Sequence, residues 1–349
     1  MPVRSRAVAN ETRFTLLSVA GVCCIEDIII GFIAELRSFD EWILVYMDVN
    51  WAQVLFNGVV TASLYLIAAV GLTLTYGLSG FPNFAYAEYI ALGAFTGYFV
   101  SDRLGLGMPA AFIVAFLFVG AVGLACCRGI FQTLSKRGAT LIHLMVASIA
   151  LGLILRHMIP ALGDIIPVLG WKWAPSYFST SWDAFDYGPL RVTGLWLWTI
   201  IVALFLAFTM HLVLTRTRIG KAIRATASNP ELALASGISV DRITWITWFV
   251  GAGFAAIAGI FRAADTQIWP MTGWEMILPI FAVVILGGIG NFYGAIVAAF
   301  IVGFAENIGV VLLTAVGLPT SYRIGIAFII LIITLIVKPQ GLAMLFRRS

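Results

Sequence analysis

Ionisable side chains are rare in the apolar stretches of this chain, and that rarity singles out a few of them. From Val54 to Val100 there is no Lys or Arg, and the one acid is Glu88. It lies in GLSGFPNFAYAEYIALGAF, residues 77–95, close behind Gly77, Gly80, Pro82 and Asn83. Later, Glu306 and Asn307 interrupt the apolar run that follows GGIGNFYGA. A carboxylate in such surroundings must be paired, hydrogen-bonded or protonated, because an isolated buried charge is costly. Asn83, Glu88, Glu306 and Asn307 are therefore candidates to line a polar path, and a structural hydrogen bond to a neighbouring helix is the competing reading. Asn83 and Glu88 are five residues apart, about 140° around a helix, so they do not share a face.

Catalysis has little to work with. His143, His157 and His211 are isolated near the ends of apolar segments and lack metal-ligand spacing. No Ser/His/Asp set or paired-acid motif presents itself, and there is no G-x-x-x-x-G-K-[ST] loop to cradle ATP phosphates. The expectation is a transport protein, not an enzyme, with no metal or cofactor. The four cysteines form two adjacent pairs, Cys23–Cys24 and Cys126–Cys127, inside apolar segments, and read as inert thiols.

The elements that must position these residues are membrane helices. Of 349 residues, 61% are hydrophobic and 11% charged, against about 25% charged in an average globular domain. Stretches such as Val59–Ala87 and Ile277–Ala305 carry no charge, and about 20 apolar residues cross a bilayer core of about 30 Å. The runs are continuous, which excludes the alternation of a β-barrel. Apolar segments fall near 14–34 (weakly), 54–78, 83–100, 109–127, 141–159, 196–214, 244–262, 277–290, 294–314 and 322–338. The fold expected is all-α and polytopic, with nine or ten transmembrane helices. An N-terminal segment, 1–53, precedes a transmembrane domain over 54–342, and a basic tail occupies 343–349. The N-terminal apolar stretch, closed by Glu26 and Asp27, reads as an uncleaved anchor or interfacial helix.

Orientation follows from basic residues in short loops. With both termini in the cytoplasm, the inner segments hold Arg4, Arg6, Arg13, Arg128, Lys136, Arg137, Arg216, Arg218, Lys221, Arg224, Arg242, Lys338, Arg347 and Arg348, two thirds of the basic residues. On the outer side, residues 160–195 contain Trp171, Trp173, Tyr177, Phe178 and Trp182, either an interfacial aromatic belt or a docking surface.

The inner loop 215–242 is the most informative segment. Arg216, Arg218, Lys221 and Arg224 suit anionic lipid headgroups or the positive-inside rule alone. In SNPELALASG, Ser228 or Asn229 can cap a helix, Pro230 suits its first position, Glu231 complements its positive end and Gly237 can stop it. A short helix bracketed at both ends is expected outside the membrane.

Glu231-x-Ala233-x-x-x-Gly237 resembles the E-A-A-x-x-x-G pattern of ABC importer permeases, with Leu232 at the second family position. NFAYAEYIALGAF, RTRIGKAIRATASNPELALASGISVDR, FAVVILGGIGNFYGAIVAAFIVGFAEN and VKPQGL resemble, in order, blocks of the branched-chain amino acid ABC permeases, H-type subunit. Tyr86-Ala87 stands where that family has His-Gly, and Lys338 where it has Arg. Urea and short-amide permeases share most of these blocks. The resemblance implies alternating access powered by ATP hydrolysis on other chains, coupled through Glu231, Ala233, Gly237 and the approach residue Arg224. It also implies as partners a second, M-type permease, two cytoplasmic ABC ATPase subunits and an extracytoplasmic substrate-binding protein in a lipid membrane, without nucleic acid. An ion-coupled secondary transporter is the remaining alternative, and the capped inner loop argues against it.

Overall fold

The computed structural model describes residues 49–180, 182–337 and 341–342. The weak 14–34 segment, Cys23–Cys24 and the 343–349 tail lie outside the described residues. The described residues from Trp51 to Leu313 and from Pro319 to Leu342 form one compact unit.

The helices are α1 (Trp51–Ser79), α2 (Tyr86–Tyr98), α3 (Gly107–Cys126), α4 (Gln132–Lys136), α5 (Leu141–Ile165), α6 (Gly194–Arg216), α7 (Arg218–Ser228), α8 (Pro230–Ala235), α9 (Val240–Asp265), α10 (Thr272–Gly287), α11 (Phe292–Ala315) and α12 (Arg323–Val337). Single π-helical turns, Phe99–Arg103 and Cys127–Phe131, follow α2 and α3. Every expected apolar segment within the described residues is helical. Among the described residues, seven helical stretches are long and apolar enough to cross a membrane, and α10 is a shorter apolar helix. In hydrocarbon, helices satisfy all their own backbone groups, which is why uninterrupted apolar sequence folds this way. At about 1.5 Å per residue, the 29 residues of α1 span more than a bilayer core, whereas the 13 of α2 and 16 of α10 fall short of it.

The centre is built on small residues. Helix α9 packs along α1, α2 and α3, and 72% of its most apolar stretch is buried, against 11% for Thr320–Val337 and 22% for α6. The last two therefore present most of their surface outward, as lipid-facing helices do. Added side-chain carbons show how close the central backbones come. A Cβ at Gly93 would lie 2.2 Å from Ala256 Cα, one at Gly259 would lie 1.9 Å from Ile90 O, and one at Gly273 would lie 1.7 Å from Ala87 O. Such approach is the usual way membrane helices gain packing energy without a hydrophobic drive between them.

The two short helices, α2 and α10, pack on one another, with Phe84 and Phe281 rings 5.1 Å apart. Each adjoins a glycine turn, and the two turns meet. Gly80 and Gly290 take left-handed φ of 72° and 77°, and a Cβ on Gly77 would come within 2.8 Å of Gly290 Cα. After each turn an asparagine accepts a backbone N–H through its Oδ1, Asn83 from Ala85 and Asn291 from Gly294. The echo between G-x-x-G…N-F at 77–84 and at 287–292 thus corresponds to two similar turns in contact.

Beyond α5 the chain is not purely helical. Ala184–Tyr187 and Leu190–Thr193 pair as an antiparallel hairpin. Of the aromatics expected there to form a belt or docking surface, Trp171 does neither. It is buried, and its indole N–H donates to Phe95 O at 3.0 Å. Trp173 and Tyr177 remain exposed, Trp173 stacked on His157.

Candidate functional site

The sequence candidates fall at three places. Asn83 is buried in the turn before α2, where its Oδ1 caps Ala85 N. Because α2 begins only at Tyr86, Glu88 lies in its first turn and not deep in a helix that starts at Asn83. Its carboxylate nevertheless ignores the helix end. Arg156 of α5 donates to Glu88 Oε1 from Nε at 2.9 Å and also from Nη2. The two side chains are 8% and 1% exposed, and the guanidinium lies 4.8 Å over the Trp274 ring. Sequence reasoning did not single out Arg156, although a lone Arg inside an apolar span is itself a signal that a buried acid awaits it.

Glu306 and Asn307 sit at the other end of the bundle from the 215–242 loop, beside a cavity of about 410 Å³. The cavity is walled by the first half of α1, the starts of α6, α10 and α12, the end of α9 and the second half of α11. Asn307 lines it directly, its Nδ2 donating to Thr61 Oγ1 at 3.0 Å and to Gly303 O. Glu306 stands just behind the lining, buried, and accepts the Tyr65 hydroxyl at 2.7 Å. Arg323 Nη2 lies 3.8 Å from the same Glu306 oxygen, Oε2. Arg262, Asp265, Glu275 and Arg323 complete the charged lining. Arg262 Nη2 is 3.7 Å from Glu275 Oε2, and Asp265 accepts the Trp196 indole N–H at 2.8 Å. The sequence analysis did not single out Arg262 and Arg323, because nothing in linear order shows that these helices converge.

The third place is the loop. The side chain of Thr217 caps α7 by accepting Gly220 N at 3.0 Å. Asn229, not Ser228, caps α8: its Oδ1 accepts both Glu231 N and Leu232 N at 3.0 Å. At the far end Gly237 has φ 82°, with Gly237 N donating to Leu234 O at 2.9 Å and Ile238 N to Ala233 O at 3.0 Å. This closes the last carbonyls in the manner of a left-handed stop. Ala233 is buried against the bundle, while Leu232 and Leu234 are 65% and 59% exposed. Glu231 is exposed as well. So α8 is anchored by one small residue and presents leucines and an acid outward. Arg224, on α7, lines a second cavity of about 300 Å³ together with Gly77, Leu78, Gly290 and Tyr293. That cavity joins the capped loop to the two glycine turns.

Chemically, the described residues offer a bundle with a polar, charge-lined cavity at one end, a buried ion pair inside, and a rigidly capped two-leucine helix at the other end. Comparison with known proteins gives this arrangement a family. The family model described as "Branched-chain amino acid transport system / permease component" matches residues 54–335. The chain is 29% identical over 303 residues to the probable branched-chain amino acid transport permease protein LivH of Methanocaldococcus jannaschii, covering 86% of this chain and 94% of the relative. It is 28% identical over 302 residues to the high-affinity branched-chain amino acid transport system permease protein LivH of Escherichia coli K12, covering 83% and 94%. To LivM of the same organism it is 27% identical over 312 residues, covering 82% and 71%. The chain belongs to the family of branched-chain amino acid transport permeases.

Proposed function

We propose that this chain is the H-type permease subunit of an ATP-driven importer for branched-chain amino acids. One observation carries the ATP-driven part of the reading: α8, fixed at both ends by Asn229 and Gly237, holds Leu232 and Leu234 out of the bundle. Exposed leucines on a short helix outside the membrane cost apolar hydration unless a partner covers them. A cytoplasmic ATPase groove is the partner that the E-x-A-x-x-x-G pattern implies. The chain has no phosphate loop of its own, so ATP is hydrolysed on separate subunits. Likeness to both LivH and LivM supports a pair of related permeases around one path, served by a binding protein on the outer face. The loop then faces the cytoplasm, as do both termini, and the Glu306–Asn307 cavity faces outward.

In this mechanism the ATPases close on ATP and push through α8. The motion passes by way of Arg224 and the second cavity to the touching turns at Gly77 and Gly290. Substrate enters beside Asn307 and Glu306, and Asn83 and Glu88 stand nearer the inner end of the path.

The test is uncoupling. Glu231→Ala and Gly237→Val are introduced into the whole transporter, and ATPase activity and leucine uptake are measured together. Uptake is expected to fall while ATP hydrolysis persists. Wild-type uptake in both variants sinks the coupling role.

A further inference from the structure

The cavity beside Asn307 carries more chemistry than a passage for a neutral solute needs. Arg262 and Glu275 are within ion-pair range at 3.7 Å but too far apart for a direct hydrogen bond. Arg262 Nε is buried and has no acceptor among the described residues. Asp265, one helical turn beyond Arg262, is exposed at the rim. So a guanidinium held to Glu275 only by a long ion pair lines the cavity together with two carboxylates, on a partly open wall. A guanidinium matches a carboxylate in bidentate geometry, and two carboxylates suit an ammonium group. Phe261 and Met276 give the same cavity an apolar wall. Its volume of about 410 Å³ is near the lower end of small-ligand pockets, about 300–1,000 Å³.

We propose that this cavity is a binding site for a zwitterionic α-amino acid, Arg262 taking the carboxylate, Asp265 and Glu275 the ammonium, and Phe261 and Met276 the aliphatic side chain. Arg323, held through Glu306 and Tyr65, supplies a second positive charge to the same cavity. An uncharged urea or amide makes no use of two opposed charges and must strip water from them to enter. The assignment rests on the amino acid import proposed above and adds where the permease itself holds its cargo.

The experiment uses the complete transporter in proteoliposomes with its binding protein and ATP, reading uptake of radiolabelled L-leucine and of urea. The key variant exchanges the pair, Arg262→Glu with Glu275→Arg, which preserves an ion pair while reversing the polarity a ligand meets. Assembly is scored by copurification. Loss of charge-assisted hydrogen bonds predicts that kcat/KM for leucine falls about 10- to 100-fold. An assembled exchange variant that transports leucine within about twofold of the wild type overturns the site and leaves the import reading standing. Should the exchange variant not assemble, Glu275→Gln, at a 38% exposed position, is judged by the same criterion. Wild-type uptake of urea without leucine overturns both.

Discussion

Breaking the Glu88–Arg156 pair is the sharpest structural perturbation the bundle offers. At 2.9 Å from Arg156 Nε to Glu88 Oε1 and an effective dielectric constant of about 20, the gross attraction is about 6 kcal/mol. Desolvating two ions costs several kcal/mol each, so the pair as a whole is worth little more than well-packed apolar residues. Removing one partner is different. Arg156→Met leaves a carboxylate that is 1% exposed and whose Oε2 has no partner among the described residues. Glu88→Met strands the guanidinium over Trp274 instead. Each single variant should lose about 3–5 kcal/mol, and the double variant less than the sum, with a coupling of at least about 2 kcal/mol. The assay is SDS unfolding of the purified protein followed by Trp fluorescence, run on all four members of the cycle. Additive losses, with coupling below about 0.5 kcal/mol, refute the reasoning. Leucine uptake by the double variant then separates two roles for Glu88. Retained uptake marks it as scaffold, and lost uptake in a stable protein marks it as part of the path.

Other perturbations follow from single contacts. Asn229→Ala removes the acceptor for two α8 amides and should cost about 1 kcal/mol locally, seen as faster amide exchange over α8 and weaker uptake with ATPase activity retained. Gly273→Val forces a side chain into Ala87 O and should abolish accumulation of folded protein in the membrane, measured by detergent size exclusion. Trp171→Phe leaves Phe95 O without its indole donor and should lower unfolding stability by about 1–2 kcal/mol, measured by the same SDS titration.

Apolar run length made the helices readable, because a bilayer leaves a continuous apolar segment no other solution. The capped loop was equally legible, since Asn229, Pro230, Glu231 and Gly237 act on their own backbone neighbours. The Gly77 and Gly290 turns were readable as turns, but not as a contact, because their approach depends on α2 and α10 packing together. Long-range polar partners stayed hidden for the same reason. Glu88 stood out in its apolar run, yet its partner Arg156 is 68 residues away. The cavity beside Asn307 assembles Arg262, Glu275 and Arg323 from three helix ends, each of which alone reads as an ordinary charge at a membrane boundary. The hairpin at 184–193 carried no strong signal, being two four-residue strands between apolar helices.

The central claim is that the capped α8 helix links this permease to ATP hydrolysis on other chains. The most direct measurement is leucine uptake into proteoliposomes holding the affinity-purified assembly, with and without ATP on the α8 side, and with and without an ion gradient. The account predicts that ATPase chains copurify, that uptake requires ATP, and that ionophores leave it unchanged. Uptake that proceeds without ATP and collapses when the ion gradient is dissipated contradicts it.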